Sequence, residues 1–264
     1  MRIGFIGCGN MATAMIKGIL DSQKVKTEDV IASAKSEKTR EKIKTELGIN
    51  AALRNKEVAE FSDILFLAVK PQYYEEVIQE IKDDLRENQM IVSIAPGKTL
   101  AWLAERLGED KKIIRTMPNT PAMVKEGMMG MCRNNLVTEN EMQQVKDICE
   151  SFGKAEVVPE SLIDVVVGVS GSSPAYVFMF IEAMADAAVA DGMPRTQAYK
   201  FAAQAVLGSA KMVLETGKHP GELKDMVCSP GGTTIEAVRV LEEKGMRSAV
   251  IEASRACVKK ARDM

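Results

Sequence analysis

Arg2-Ile3-Gly4-Phe5-Ile6-Gly7-Cys8-Gly9-Asn10-Met11-Ala12 is the stretch whose reading decides the fold of this chain. Residues 3–6 are a short apolar run of strand character, and Met11, Met15 and Ile19 then recur at four-residue steps, one face of a helix. Between strand and helix lies the spacing Gly-x-Gly-x-x-Ala. Gly7 permits the tight turn out of the strand, Gly9 lets a diphosphate approach the backbone, and Ala12 is small enough for close helix–strand packing. Alone, the spacing is a weak signal. Set between a strand and a helix, it predicts a dinucleotide site with Gly7, Cys8, Gly9, Asn10 and Met11 against the cofactor.

Downstream residues repeat the alternation of strand and helix. Apolar runs at 30–33, 64–69, 90–94 and 113–116 read as strands. The unbroken run 64–69 suits a parallel strand covered on both faces. Val77, Ile78, Ile81 and Leu85 mark a crossover helix, and Thr138 with Glu141 forms a capping box that opens another. The expectation is an α/β fold, a Rossmann-type doubly wound sheet over 1–159. Ligands of such sheets sit beyond the carboxyl ends of the strands. Val69, Lys70, Pro71, Ala95 and Gly97 should therefore line the cofactor cleft. Asn55-Lys56-Glu57 reads as the cap of a short helix beside it, and Met117-Pro118-Asn119-Thr120-Pro121 as a rigid loop at the same edge.

The second strand ends in Ser33-Ala34-Lys35-Ser36, without the acid that usually holds a ribose 2′-hydroxyl in NAD sites. Two hydroxyls around a cation suit a 2′-phosphate, so Ser33 and Lys35 favour NADPH, with NADH possible. The plainer reading is that Lys35 begins a solvated helix over 35–44.

After Pro159 the strand-like runs stop, and alanine-rich helical stretches take over at 175–190, 195–215, 233–243 and 246–262. An all-helical second domain over 160–264 is expected. Such apolar helices with few aromatic residues are expected to bury part of themselves in another subunit. Within this half, Asp225-Met226-Val227-Cys228-Ser229-Pro230-Gly231-Gly232-Thr233-Thr234 places a glycine-rich turn before a helix. Bare N–H groups and the positive end of the helix dipole favour a carboxylate or phosphate there. The hydroxyls of Ser229, Thr233 and Thr234 add donors. The plainer reading is an ordinary loop in which a threonine caps the helix.

The 264 residues carry 35 Lys and Arg against 37 Asp and Glu, a balance that gives no electrostatic case for nucleic acid or an anionic membrane surface. Five cysteines, none spaced as CxxC, and a single His219 exclude a zinc cluster and point to a reducing compartment. No signal peptide is read at the N-terminus, and no unbroken apolar run of about 18 residues is read. The expectation is a cytoplasmic protein with a small-molecule substrate and no metal. His219, in Gly217-Lys218-His219-Pro220, reads as a solvent-facing turn residue.

Taken together, Gly7-Cys-Gly-Asn-Met-Ala12, Leu65-Phe-Leu-Ala-Val-Lys-Pro71, Met117-Pro-Asn-Thr-Pro121, Gly171-Ser-Ser-Pro-Ala-Tyr176 and the 225–234 stretch resemble pyrroline-5-carboxylate reductase. The resemblance covers essentially the whole chain. It implies a Rossmann domain carrying NAD(P)H and a helical domain that interlocks with a partner into a homodimer, often a pentamer of dimers (a decamer). It further implies a substrate carboxylate held at 231–234, with Ser229, Gly231, Gly232, Thr233 and Thr234 in the substrate site. One departure is Gly171-Ser172-Ser173-Pro174, where the family usually reads Gly-Ser-Gly-Pro.

The chemistry agrees with that resemblance. A protonated cyclic imine accepts hydride at carbon directly, whereas a ketone needs a general acid for the forming alkoxide. From Ala155 to Tyr199, where hydroxyacid dehydrogenases of similar layout keep a catalytic lysine, there is no Lys, His or Asn. Thr234 is the expected hydrogen-bond partner of the ring nitrogen, and Glu160 the carboxylate placed to face the substrate amine. A hydroxyacid-type dehydrogenase and a non-catalytic NADP(H)-binding regulatory protein are the two alternatives.

Overall fold

The computed structural model describes all residues, 1–264, as two compact units: Met1–Ser172 with Cys257–Met264, and Ser173–Ala256. In the first, β1 (Ile3–Ile6), α1 (Asn10–Asp21), β2 (Val30–Ser33), α2 (Glu37–Glu46), β3 (Asn50–Ala52), α3 (Asn55–Phe61), β4 (Ile64–Leu67) and α4 (Tyr74–Ile81) follow in order. Then come β5 (Met90–Ser93), α5 (Leu100–Leu107), β6 (Lys112–Met117), β7 (Gly127–Arg133), α6 (Glu139–Cys149), β8 (Gly153–Val157) and α7 (Ile163–Val166). They build one sheet of order β3-β2-β1-β4-β5-β6-β7-β8, parallel except that β7 runs antiparallel to β6.

Apolar strands make this sheet a buried layer. Every residue of β1, β4 and β5 is buried. Phe5, Phe66, Val92 and Ile114 face the core packed by α1 and α6, with Phe5 stacked on Phe66 at 4.7 Å. Leu65, Leu67, Ile91 and Ile113 face the opposite core, packed by α3, α4 and α5. The capping box of α6 forms as expected, Thr138 accepting from Glu141 N–H while Glu141 accepts from Thr138 N–H.

Three strands lie where no strand was expected: β3, β7 and β8. β7 reads Gly-Met-Met-Gly-Met-Cys-Arg, poor in β-branched residues. Tertiary packing makes it a strand. A methyl group on Gly130 would meet Val166 at 2.9 Å, and one on Gly153 would sit 2.1 Å from the Gly127 carbonyl oxygen. A second correction concerns Asn55, which does not cap α3. Arg54 holds that position, without a side-chain cap, and Asn55 is the first helical residue.

The second unit is helical: α8 (Ser173–Ala190), α9 (Arg195–Thr216), α10 (Pro220–Val227), α11 (Thr233–Glu243) and α12 (Met246–Arg262), whose last residues belong with the first unit. α8 and α9 pack along each other. Little of this unit is buried within one chain: Ala185, Ala198, Ala202 and Leu223 are its buried apolar residues. Phe178 is 63% exposed and Leu214 83%. The stretch Glu160–Ala190 is also long and apolar enough, by length and composition, to cross a bilayer, against the expectation of no such segment. Its few charges are spread through a helical run rather than absent from it, which an unbroken-run criterion misses.

Candidate functional site

The loop after β1 is shaped by two glycines with different tasks. Gly7 adopts φ +92°, donates to the Ser33 carbonyl at 3.2 Å, and leaves no room for a side chain: a methyl group would lie 2.8 Å from the Ala68 carbonyl oxygen. Gly9 has an ordinary φ of −80° and nothing within 4 Å of where a methyl group would stand. It is the N-cap of α1, with no side-chain cap and no acid in the first turn. The first N–H groups of α1 therefore have no side-chain cap, an arrangement that favours an anion. Ala12 is 1% exposed, the close packing its size permits.

β1 lies between β2 and β4, the point where strand order reverses, and a cleft of ≈ 740 Å³ opens there. Gly7, Cys8, Gly9, Ser33, Lys35, Asn55, Val69 and Lys70 line it. Five expected residues are not among those lining it. Met11 packs partly into one core, Pro71 opens a short 3-10 turn directly after Lys70, and Ala95 is buried in the other core. Gly97 adopts φ +73°, with Met264 2.8 Å from where its side chain would begin. Asn10 lines an adjoining hollow of ≈ 330 Å³ together with Lys17 and Lys42.

The hydroxyls expected around Lys35 are already engaged. Ser33 is 2% exposed and donates to Asn55 Oδ1 at 2.6 Å, while Asn55 Nδ2 reaches Glu80 at 2.7 Å. Ser36 caps α2, accepting from Thr39 N–H at 3.2 Å. The cations remain. Lys35 lies 6.0 Å from the Tyr73 ring, and Arg40 donates to the Ala34 and Lys35 carbonyls at 2.8 and 3.0 Å. Arg40 and Arg54, both lining the cleft, are the residues sequence reading missed. For Arg40 the signal was present: it follows the capping serine by four residues, one helical turn. Burial pushes the Cys8 thiol up, and the Thr13 hydroxyl only partly offsets this.

Beyond the strands, Tyr74 ties the cleft wall together. Its hydroxyl donates to the Leu67 carbonyl at 2.6 Å and accepts from Ser93 at 3.1 Å, and Thr116 donates to the Ser93 carbonyl at 2.9 Å. Burial pushes the phenol up to about 12, so it remains a neutral donor.

In the helical unit, Ser229-Pro230-Gly231-Gly232 makes a turn closed by Gly232 N–H to the Ser229 carbonyl at 3.0 Å. Pro230 at its second position and Gly231 at φ +68° at its third are the residue types of a type II turn. Gly232, at φ −79°, is the N-cap of α11 and no side chain caps it. No threonine caps this helix, so its first N–H groups are open, as are those of α1. Thr233 and Thr234 are its first two residues, exposed and half-buried. His219 caps α10, its Nδ1 accepting from Gly221 N–H at 3.0 Å.

Glu160 is engaged through one carboxylate oxygen. Its Oε1 accepts from Leu100 N–H at 2.7 Å, at the start of α5, and pairs with Arg115 at 3.2 Å. Arg115, 1% exposed, also pairs with Asp164 at 2.7 Å. These contacts tie the 160–166 segment to β6.

Comparison with known proteins gives this arrangement a lineage. Residues 160–264 match the model of the family described as pyrroline-5-carboxylate reductase dimerisation, and residues 2–97 that described as NADP oxidoreductase coenzyme F420-dependent. The pyrroline-5-carboxylate reductase of Escherichia coli (strain K12) is 59% identical over 260 residues, 98% of this chain and 97% of that one. This chain belongs to the pyrroline-5-carboxylate reductase family. It is an oxidoreductase.

Two solved members of the family extend the likeness to the fold. The pyrroline-5-carboxylate reductase of Coxiella burnetii superposes with TM-score 0.92 at 34% identity, covering 99% of this chain and 97% of its own. The pyrroline carboxylate reductase of Plasmodium falciparum, solved with NADP bound, gives 0.91 at 32% identity, covering 100% and 97%. Ser173, the departure from the usual family motif, opens α8 half-exposed.

Proposed function

We propose that the protein reduces 1-pyrroline-5-carboxylate to L-proline at the expense of NADPH. One observation carries this reading: two helices, α1 and α11, each begin at an uncapped glycine, one per unit. A cofactor-binding regulator needs only the first. A reaction between a dinucleotide and a carboxylate-bearing substrate needs both. The Gly9 cradle, roomy and free of acid, fits the diphosphate of a nicotinamide dinucleotide, with Gly7, Cys8, Val69 and Lys70 around it. When bound, that cofactor supplies the hydride.

The chain's own residues bind and orient. The open N–H groups at the start of α11 hold the substrate carboxylate. Thr234 bonds the ring nitrogen, and Ser229 shapes the turn. A protonated imine is electrophilic without further help, which fits a chain whose one histidine is committed to a helix cap. Positioning supplies most of the rate. Glu160, tethered to Arg115 through Oε1, faces the substrate amine with its other oxygen.

Lys35 and Arg40 favour NADPH over NADH, with Ser33 acting through Asn55. Cofactor binding falls to residues 1–159, and substrate binding and dimerisation to residues 160–264. The bare apolar faces of α8 and α9 meet a second copy, in a homodimer or a larger assembly built from it. Five unpaired cysteines suit a reducing, cytoplasmic setting. The test is NADPH oxidation with pyrroline-5-carboxylate, with a 2-keto acid, and with neither. Turnover in the first arm alone is expected. Turnover with the 2-keto acid assigns a hydroxyacid dehydrogenase, and none in any arm a binding protein.

A further inference from the structure

Between α7 and α8 the chain makes a π-helical turn, Val167–Gly171, with Ser172 N–H reaching back to the Val167 carbonyl at 2.8 Å. Such turns are rare and gather at functional sites. This one ends where the first compact unit ends, at Ser172. In a continuing α-helix the Ser170 carbonyl would accept from the N–H of residue 174. Residue 174 is proline and has none. The missing donor comes from elsewhere in the sequence: Asn119 Nδ2 donates to the Ser170 carbonyl at 3.0 Å.

Asn119 is 7% exposed, and its other end is also engaged, Oδ1 accepting from Met128 N–H at 2.8 Å at the start of β7. One amide thus clamps the loop after β6, the head of β7 and the π-turn. Neighbouring residues close the fit. Met117 Cε lies 2.9 Å from where a side chain on Gly171 would begin, and the Cys257 thiol donates to Ser172 Oγ at 3.1 Å.

We infer that Asn119 is a positioning residue: it fixes the π-turn from which α8 emerges, and it acts on catalysis through that turn. The inference rests on the proposed reductase activity for its kinetic consequence, but not for its structural one. The amide both accepts from Met128 and donates to Ser170. Asn119→Asp keeps the acceptor and turns the donor into a carboxylate facing a carbonyl. Pro174→Ala supplies a backbone N–H in the same place.

The experiment compares the full-length wild type, Asn119→Asp, Asn119→Ser, Pro174→Ala and the double variant Asn119→Asp/Pro174→Ala. It measures NADPH affinity, kcat and KM for pyrroline-5-carboxylate, and hydrogen exchange of amides 167–176. Expected for Asn119→Asp are faster exchange at 167–176, kcat lower by roughly tenfold, the scale of one buried hydrogen bond, and NADPH affinity unchanged within about twofold. The double variant should recover a substantial part of both losses. Asn119→Ser, which reaches neither partner, covers the case in which the aspartate variant does not fold. Unchanged exchange at 167–176, faster exchange with unchanged kcat, or no recovery in the double variant overturns the assignment. A wild type inactive on pyrroline-5-carboxylate sinks the proposed activity instead, and the exchange data then decide the clamp alone.

Discussion

The two units of this chain solve the problem of burying apolar surface in opposite ways. In the first, three strands are buried along their whole length, and cores on both faces of the sheet close within one chain. In the second, the helices leave Phe178, Met179, Phe201 and Leu214 more than 60% exposed. A monomeric soluble protein rarely leaves so much apolar side chain in water. The contrast teaches that the first unit closes its core within one chain while the helical unit does not, and the family model over 160–264 is one of dimerisation.

A charge on the exposed apolar face should break the contrast most sharply. Burying a phenylalanine contributes about 1.5–3 kcal/mol, and a two-fold interface uses each residue twice. Phe178→Asp should therefore weaken self-association by at least about 100-fold. Sedimentation would show monomers of 28.8 kDa at micromolar concentration. Undisturbed dimers would mean that α8 is covered by something other than its copy.

Within the first unit, Gly7 and Gly9 separate folding from binding. Gly7→Ala forces a side chain to φ +92° and against the Ala68 carbonyl, which should destabilise the fold by about 2–3 kcal/mol, read as a lower denaturation midpoint. Gly9→Ala meets nothing in the protein, so the midpoint should move by less than about 1 kcal/mol. NADPH affinity should fall by about 10- to 100-fold instead. The reverse pattern would mean that the open cradle is not the diphosphate site.

Thr234→Ala removes one hydroxyl while keeping the N–H groups and dipole of α11. Losing a hydrogen bond to a charged group costs about 1.5–3 kcal/mol, so kcat/KM for the pyrroline substrate should drop about 10- to 150-fold. Gly231→Ala distorts the turn through its φ of +68° and should raise the substrate KM without touching NADPH affinity. A loss of NADPH affinity in either variant would assign the turn to the cofactor. The smallest effect is expected at Lys35, exposed and beside Arg40: Lys35→Glu should narrow the NADPH over NADH preference by about 3- to 10-fold in kcat/KM. An unchanged ratio would leave Arg40 and Arg54 as the discriminating cations.

Where local pattern and tertiary packing agree, the sequence was readable. The first loop, the strands at 64–67 and 90–93 and the bounds of α11 and α12 follow from periodicity and glycine placement, and the capping box of α6 from the Thr138–Glu141 spacing. β7 was not readable, because its methionines and glycines become a strand only through the neighbours that press on Gly130 and Gly153. The site shows the same division. Glycines at a strand end announce a phosphate cradle, but whether a serine faces a ligand or another side chain depends on the third dimension. Ser33 and Asn55 bond each other, Glu160 pairs with Arg115, and Arg40 reaches the cleft from a helix face that reads as solvated.

Hydride transfer itself is the most direct test. The protein would be incubated with pyrroline-5-carboxylate and NADPH dideuterated at nicotinamide C4, and the product examined by NMR. One deuterium at the δ-carbon of L-proline, the former imine carbon, is the expected result. Proline without deuterium at that carbon, or no proline at all while NADPH still binds, would contradict direct reduction of the imine by this chain.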